Sequence, residues 1–414
     1  MIIIHDVVEK RVLPRLLATP LARALRSFPV VVLGGSRQTG KTTLARIGSP
    51  GKGRLYRSLD DIDVLERAQR APEALVRDAR RLTLDEVQRA PDLLLAVKRA
   101  VDEDRAPGRF LLTGSANLLL MRRVRETLAG RAVYLTLRPL TRLELRGSGS
   151  AGGWSELFGR RDGAWPELLR ARHAPEDWRE VVRLGGYPTP AHRLRHAAER
   201  ALWHAGYTQT YLERDLRDLS SVDSLPAFRR LMRAACLRIG NLVNQTELGR
   251  DVGLPQPTVS RHLDLLETSY LLVRLPAYGV NRTSRLIKTP KLYWSDTALA
   301  LHLAGEDEPR GAHLENLVLG DLLAWSASLF DAPQLTYWRT AAGREVDFVI
   351  EWRGRLLPVE VKTTTRPRTG DAAALRAFRE EYGRRSRAGL LLHAGEEVSW
   401  LANGVLAAPW WSVM

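Results

Sequence analysis

The run PVVVLGGSRQTGKTTLA, Pro29 to Ala45, constrains this chain more than any other stretch. Val30, Val31, Val32 and Leu33 form a continuous apolar run, rich in β-branched residues. Such a run suits a strand buried on both faces of a parallel sheet. Gly35 to Thr42 matches G-x-x-x-x-G-K-[ST] without a mismatch, and Thr43-Leu44-Ala45-Arg46 reads as the start of a helix. Strand, glycine loop and helix in that order make a cradle for phosphate. Gly35 and Gly40 let the backbone bend, and the amides of Ser36, Arg37, Gln38 and Thr39 turn toward the anion. Lys41 reaches the β- and γ-phosphates and the Thr42 hydroxyl ligates Mg²⁺. Thr43 lies at the helix N-terminus, whose partial positive charge favours an anion.

A second element completes this pattern. Arg81-Leu82-Thr83-Leu84-Asp85-Glu86 is an apolar strand ending in two carboxylates. Asp85 is placed to hold Mg²⁺ directly or through water, and Glu86 to orient or deprotonate the attacking water. A third buried strand, Phe110 to Thr113, is followed by Ser115 and Asn117. Either could sense the γ-phosphate or simply cap the next helix. Among the arginines at 122, 123, 125 and 131, Arg131 after Ala129-Gly130 is the first choice for a finger reaching a neighbouring subunit's nucleotide.

The bulk numbers narrow the partners. The 414 residues carry 63 Lys+Arg against 47 Asp+Glu, a formal charge of +16, which favours a polyanion and DNA first. Charged residues spread along the whole chain, so ordinary solvated faces also fit. The single cysteine, Cys236, excludes an internal disulfide, reads as a core residue and points to a reducing cytoplasm. Met1 to Ile4 is too short for a signal peptide, and no apolar stretch reaches the length of a membrane span.

Composition then divides the chain. Residues 1–146 form the phosphate-binding domain, and 147–225 a linker and helical connector opened by Gly147-Ser148-Gly149-Ser150-Ala151-Gly152-Gly153. That opening is flexible by composition. Residues 226–304 give helix, helix, turn, helix, hairpin, the pattern of a winged helix-turn-helix. In that fold Gln256, Thr258, Ser260, Arg261 and His262 face the major groove, and Arg282, Arg285 and Lys288 lie on the wing near phosphates. The alternative is a rigid spacer or subunit contact.

Residues 305–414 hold a further constellation. A helix beginning at His313-Leu314-Glu315 precedes three strands, with Asp347 in the second and Glu360 and Lys362 in the third. Glu360 and Lys362 share a face. A turn at 353–354 sets Asp347 opposite Glu360, and one at 354–355 sets it opposite Lys362. Two carboxylates with Glu315 suit a divalent metal, Mg²⁺ or Mn²⁺, with Lys362 orienting water or stabilising charge. A salt-bridged hairpin or a degenerate site are the alternatives.

The motifs GGSRQTGKTT, TLDEVQRAPDLL, FLLTGSANLLL, GGYP, YLERDL, KLYWSDTAL, HLENLV, REVDFVI and PVEVK together resemble a prokaryotic family of AAA-type ATP-binding proteins. Its members join an N-terminal P-loop ATPase to a C-terminal domain of unknown function that is similar to PD-(D/E)xK nucleases. The resemblance runs from roughly Arg11 to Arg379 and implies an AAA-type parallel sheet and a nuclease-like domain; with the winged helix-turn-helix pattern between them, the chain reads as α/β. The resemblance implies ATP and Mg²⁺ at Lys41, Thr42, Asp85 and Glu86, and nuclease-type positions at Glu315, Asp347, Glu360 and Lys362. Homo-oligomers, including a ring, fit such a chain. Two readings follow: an ATP-driven enzyme that binds or cuts branched or broken DNA, or an ATP-controlled switch or scaffold whose C-terminal module does not cut.

Overall fold

Five short runs pair side by side in the order β2-β3-β4-β1-β5, every pair parallel. They are β1 (Val30–Gly34), β2 (Arg54–Ser58), β3 (Arg81–Asp85), β4 (Phe110–Thr113) and β5 (Ala132–Thr136). The computed structural model describes residues 12–47, 53–114, 127–170, 175–210, 224–279 and 289–414. Ser115, Arg282, Arg285 and Lys288 therefore lie outside the described residues.

Alternation along β1 explains why it is apolar throughout. Val30 and Val32 join one core with the helix Leu93–Glu103, while Val31 and Leu33 join another with the helix Ala18–Ser27. Each fully buried side chain of this kind contributes about 1.5–3 kcal/mol. Parallel pairing also puts all the strand C-termini at one edge, where Gly34, Asp85 and Thr113 meet. Arg54 and Arg81 open their strands at the other edge.

Most of the remainder packs on an apolar core that runs from Trp154 to Met414, and a separate core holds Tyr278, Trp338, Val346 and Phe378. The first takes in the helices Leu225–Leu237, Gln245–Val252 and Gln256–Thr268, with the antiparallel pair β6 (Leu272–Leu275) and β7 (Lys291–Trp294). Cys236 is buried there. A second sheet, ordered β12-β13-β11-β10-β9-β8, closes the chain. Its members are β8 (Gln334–Arg339), β9 (Glu345–Trp352), β10 (Arg355–Val361), β11 (Gly389–His393), β12 (Ser399–Ala402) and β13 (Val405–Pro409).

One expectation fails here. The glycine-rich stretch 147–153 is not a loose linker: Ser148 N–H donates to the Leu143 carbonyl at 2.8 Å and Gly153 N–H to the Val413 carbonyl at 2.9 Å. A side chain at Gly152 would stand 2.5 Å from the Val413 carbonyl oxygen, so the small residues there serve close packing.

Candidate active site

The phosphate loop grows out of β1 as its sequence requires. Gly35 has φ +144, and a Cβ on it would lie 2.3 Å from the Leu137 carbonyl oxygen. The chain turns through Gln38 at φ 58 and Gly40 at φ 94 into the helix Lys41–Ile47. Thr39 donates its hydroxyl to the Ser36 carbonyl at 2.9 Å. Lys41 is buried, and its ammonium bonds the carbonyls of Gly35 at 3.1 Å and Ser36 at 2.8 Å, which holds the positive charge against the loop.

Thr42 donates to the Asp85 carboxylate at 2.9 Å, bringing together the two groups expected to hold Mg²⁺. Tyr56 and Thr113 also donate to Asp85. Burial, then the Asp85 hydrogen bond, pushes the Tyr56 hydroxyl up to about 12, so it stays a donor. A hydroxyl and a carboxylate at a helix N-terminus are the hard oxygen donors Mg²⁺ takes, and the residues fit that ion. Glu86 follows in the left-handed region at φ 59. Its amide donates to the Thr113 hydroxyl at 3.4 Å, and Gln88 donates to its carboxylate.

Three supports were not foreseen. Arg15 donates to the carbonyls of Thr39 and Arg138, both at 2.6 Å, and pairs with Glu144 at 3.1 Å, clamping the loop from outside. The Tyr187 hydroxyl donates to Ser36 Oγ at 3.3 Å and meets the Tyr207 hydroxyl at 3.1 Å. Gly186 beside it receives the Leu140 amide at 2.7 Å and donates to Asp296 at 2.6 Å. In the sequence Gly-Gly-Tyr-Pro stood out as a motif of the family resemblance; a glycine pair followed by an aromatic was the available signal. Val12, Pro14, Thr43, Leu44, Ile47 and Pro188 line a cavity of about 310 Å³ against Gly40, mostly apolar and of a size for a flat ring.

Arg131, the expected finger toward a neighbouring subunit, binds Asp102 of its own chain at 2.7 and 3.0 Å and directly precedes β5, at the N-terminal edge of the sheet.

The C-terminal constellation assembles, with a different centre. Arg353 and Gly354 both have positive φ and make the turn between β9 and β10. Val359 pairs with Phe348, so the next rung sets Asp347 level with Glu360. Glu315 reaches in from the helix Gly311–Ala327. Among these acids lies Lys291, the first residue of β7, its side chain 3% exposed. Its ammonium is 2.9 Å from Glu315, 2.5 Å from Glu345 and 3.4 Å from Asp347. Tyr293 donates to Glu315, the Val361 amide to Asp347 at 2.9 Å, and Lys362 to Glu360 at 2.7 Å.

Burial, then the Asp347 charge, raises Glu315 to about 7 and Glu360 to about 8. Burial works against the Lys291 ammonium, but Glu315, Asp347 and Glu345 overcome it and hold it charged. Asp347 and Glu360, expected as ligands of Mg²⁺ or Mn²⁺, therefore face lysines and a backbone amide. Among the described residues no group of three or more His, Cys, Asp or Glu is arranged to hold a metal ion.

The helix Gln256–Thr268 divides the expected DNA contacts. Gln256 and Arg261 are exposed, and Thr258 and Ser260 half-buried. His262 is a correction: it is 3% exposed and meets the Phe228 ring edge-on with centroids 4.9 Å apart, because it falls on the apolar stripe with Val259 and Leu266. It faces the core and no groove.

The AAA domain family matches residues 27–145, a domain of unknown function (DUF8612) residues 175–310, and another (DUF4143) residues 310–413. The uncharacterized protein Rv2008c of Mycobacterium tuberculosis is 33% identical over 360 residues, 84% of this chain and 74% of that protein. An uncharacterized protein of Haemophilus influenzae is 22% identical over 279 residues, 66% of this chain and 64% of that one. Among solved structures, the Walker-type ATPase PABY2304 of Pyrococcus abyssi is 18% identical with a TM-score of 0.44, covering 69% of this chain and 94% of that one, too distant to bear on function.

Proposed function

We propose that this chain, which belongs to the family of the uncharacterized protein Rv2008c of Mycobacterium tuberculosis and carries an AAA domain, is a Mg²⁺-dependent ATP hydrolase that works as a switch. The observation that carries this reading is the Thr42–Asp85 contact at 2.9 Å beside the Lys41 loop. Mg²⁺, when bound, would neutralise charge developing on the transferred phosphate. Lys41 holds those phosphates, Thr42 and Asp85 hold the ion, and Glu86 orients water. The cavity of about 310 Å³ against Gly40 would take the adenine ring.

The switch reading is favoured over a cutting enzyme by Lys291, whose ammonium stands among the acids where a nuclease would place metal. Tyr187 and Gly186 tie the phosphate loop to Asp296, two residues beyond β7, the strand that carries Lys291. A change at Ser36 thus has a short path to the C-terminal module.

The test is calorimetric titration with Mg-ATP. Wild type binds, and Lys41→Ala loses at least about tenfold in affinity, a 1.4 kcal/mol difference. Equal binding by both proteins would remove Lys41, and the reading, from consideration.

A further inference from the structure

Arginines on the ATPase domain mostly meet a carboxylate: Arg67 meets Asp78, Arg99 meets Glu73 and Arg131 meets Asp102. One group has fewer such partners. At the N-terminal edge of the parallel sheet, Arg26, Arg54, Arg80, Arg81 and Arg109 line a single cavity of about 560 Å³ with no Asp or Glu among the described residues of its lining. Arg54 and Arg81 are direct register partners across β2 and β3. Like charges so placed repel each other unless something compensates.

Arg54 is fixed. It donates to the carbonyls of Leu82 at 3.0 Å and Gly108, while its buried Nε has no hydrogen-bond partner. Burial and then the charge of Arg81 lower its pKa to about 10. Arg109 donates to the Ala100 and Asp104 carbonyls, with the Asp104 carboxylate at 3.7 Å. Arg26, Arg80 and Arg81 are exposed and form no ion pair among the described residues.

We propose that this cavity binds the phosphodiester backbone of a nucleic acid, with Arg54 fixed at the back and Arg26, Arg80 and Arg81 at the mouth. Guanidinium forks match phosphate oxygens in pairs. Among the described residues no aromatic ring lines the cavity to seat a base, so it reads the backbone and not the sequence. The site is separate from the nucleotide site: strands rise about 3.3 Å per residue, so roughly 16 Å of sheet lies between the two edges. It also stands independently of the hydrolysis reading.

The test is fluorescence anisotropy of a labelled mixed-sequence duplex against the full chain over a salt series. Arg80→Ala with Arg81→Ala should weaken binding and lower the log–log salt slope by about 1.8, two contacts at 0.9 each. Arg70→Ala with Arg99→Ala removes the same charge from guanidiniums paired to Glu66 and Glu73, and should leave the slope as in wild type. Thermal unfolding confirms that both variants fold. An unchanged slope in the first variant, or an equal fall in both, overturns the proposal. A loss seen only in Arg261→Ala moves the contact to the helix Gln256–Thr268 and overturns it as well. Inorganic tripolyphosphate separates the sources of phosphate: displacing the duplex from wild type more strongly than chloride at equal ionic strength supports a phosphate site, and binding in the cavity without any duplex binding overturns the proposal.

Discussion

Lys291 shows how much one side chain decides. Sequence reasoning placed Asp347, Glu360, Lys362 and Glu315 together, and the structure brings all of them to one place. What it missed was the cation between them. Lys291 opens an apolar strand, KLYW, and its partners lie 24 and 56 residues further along the chain. Local periodicity carries no information on a contact at that range. The one available hint was a lysine at the head of a strand too apolar to be exposed, which must find a carboxylate if buried. Lys291→Met would leave Glu315, Glu345 and Asp347 without their counter-charge. We expect it to cost about 3–5 kcal/mol in urea unfolding, the usual consequence of removing one partner of a buried ion pair. Wild-type stability in that variant would mean that another cation balances these acids.

At the level of elements, the strands and helices carrying the phosphate site were legible because their signals are contiguous. The run Val30 to Leu33, the glycine loop and the Asp85 strand each declare themselves within a few residues. Packing between elements was not legible in the same way. The indole N–H of Trp154 donates to Asp321 at 2.7 Å, joining the helix Trp154–Gly159 to the helix Gly311–Ala327 across 167 residues. Burial raises Asp321 to about 7, the Trp154 hydrogen bond opposing and Glu144 adding to the shift. The folded state therefore holds a proton there that the unfolded chain releases near pH 4. Its contribution to stability is fully present below the unfolded pKa and is lost as pH rises through about 7. Asp321→Asn keeps the acceptor and removes the titration, so its melting temperature should fall less than that of wild type between pH 5 and pH 8. Parallel declines in the two proteins would show that Asp321 is ionised in the fold.

The whole molecule is more continuous than its composition suggests. Glycine-rich residues 147–153 looked like a hinge, yet they are held against Val413, and one core extends from Trp154 to Met414. Glycine content cannot distinguish freedom from close approach, since both need the missing side chain. Through Tyr187, Gly186 and Asp296 that body touches the phosphate loop itself. A switch needs such contact, and hydrolysis at the loop is the premise on which it rests. The most direct measurement is the rate of ATP hydrolysis by Glu86→Gln beside wild type, with Mg-ATP binding measured on the same preparations. Glu86 acts on water and not on the bound phosphates, so binding should survive while the rate falls by about 100-fold or more. Hydrolysis at the wild-type rate in Glu86→Gln, or a wild-type protein that binds Mg-ATP and never turns it over, would contradict it.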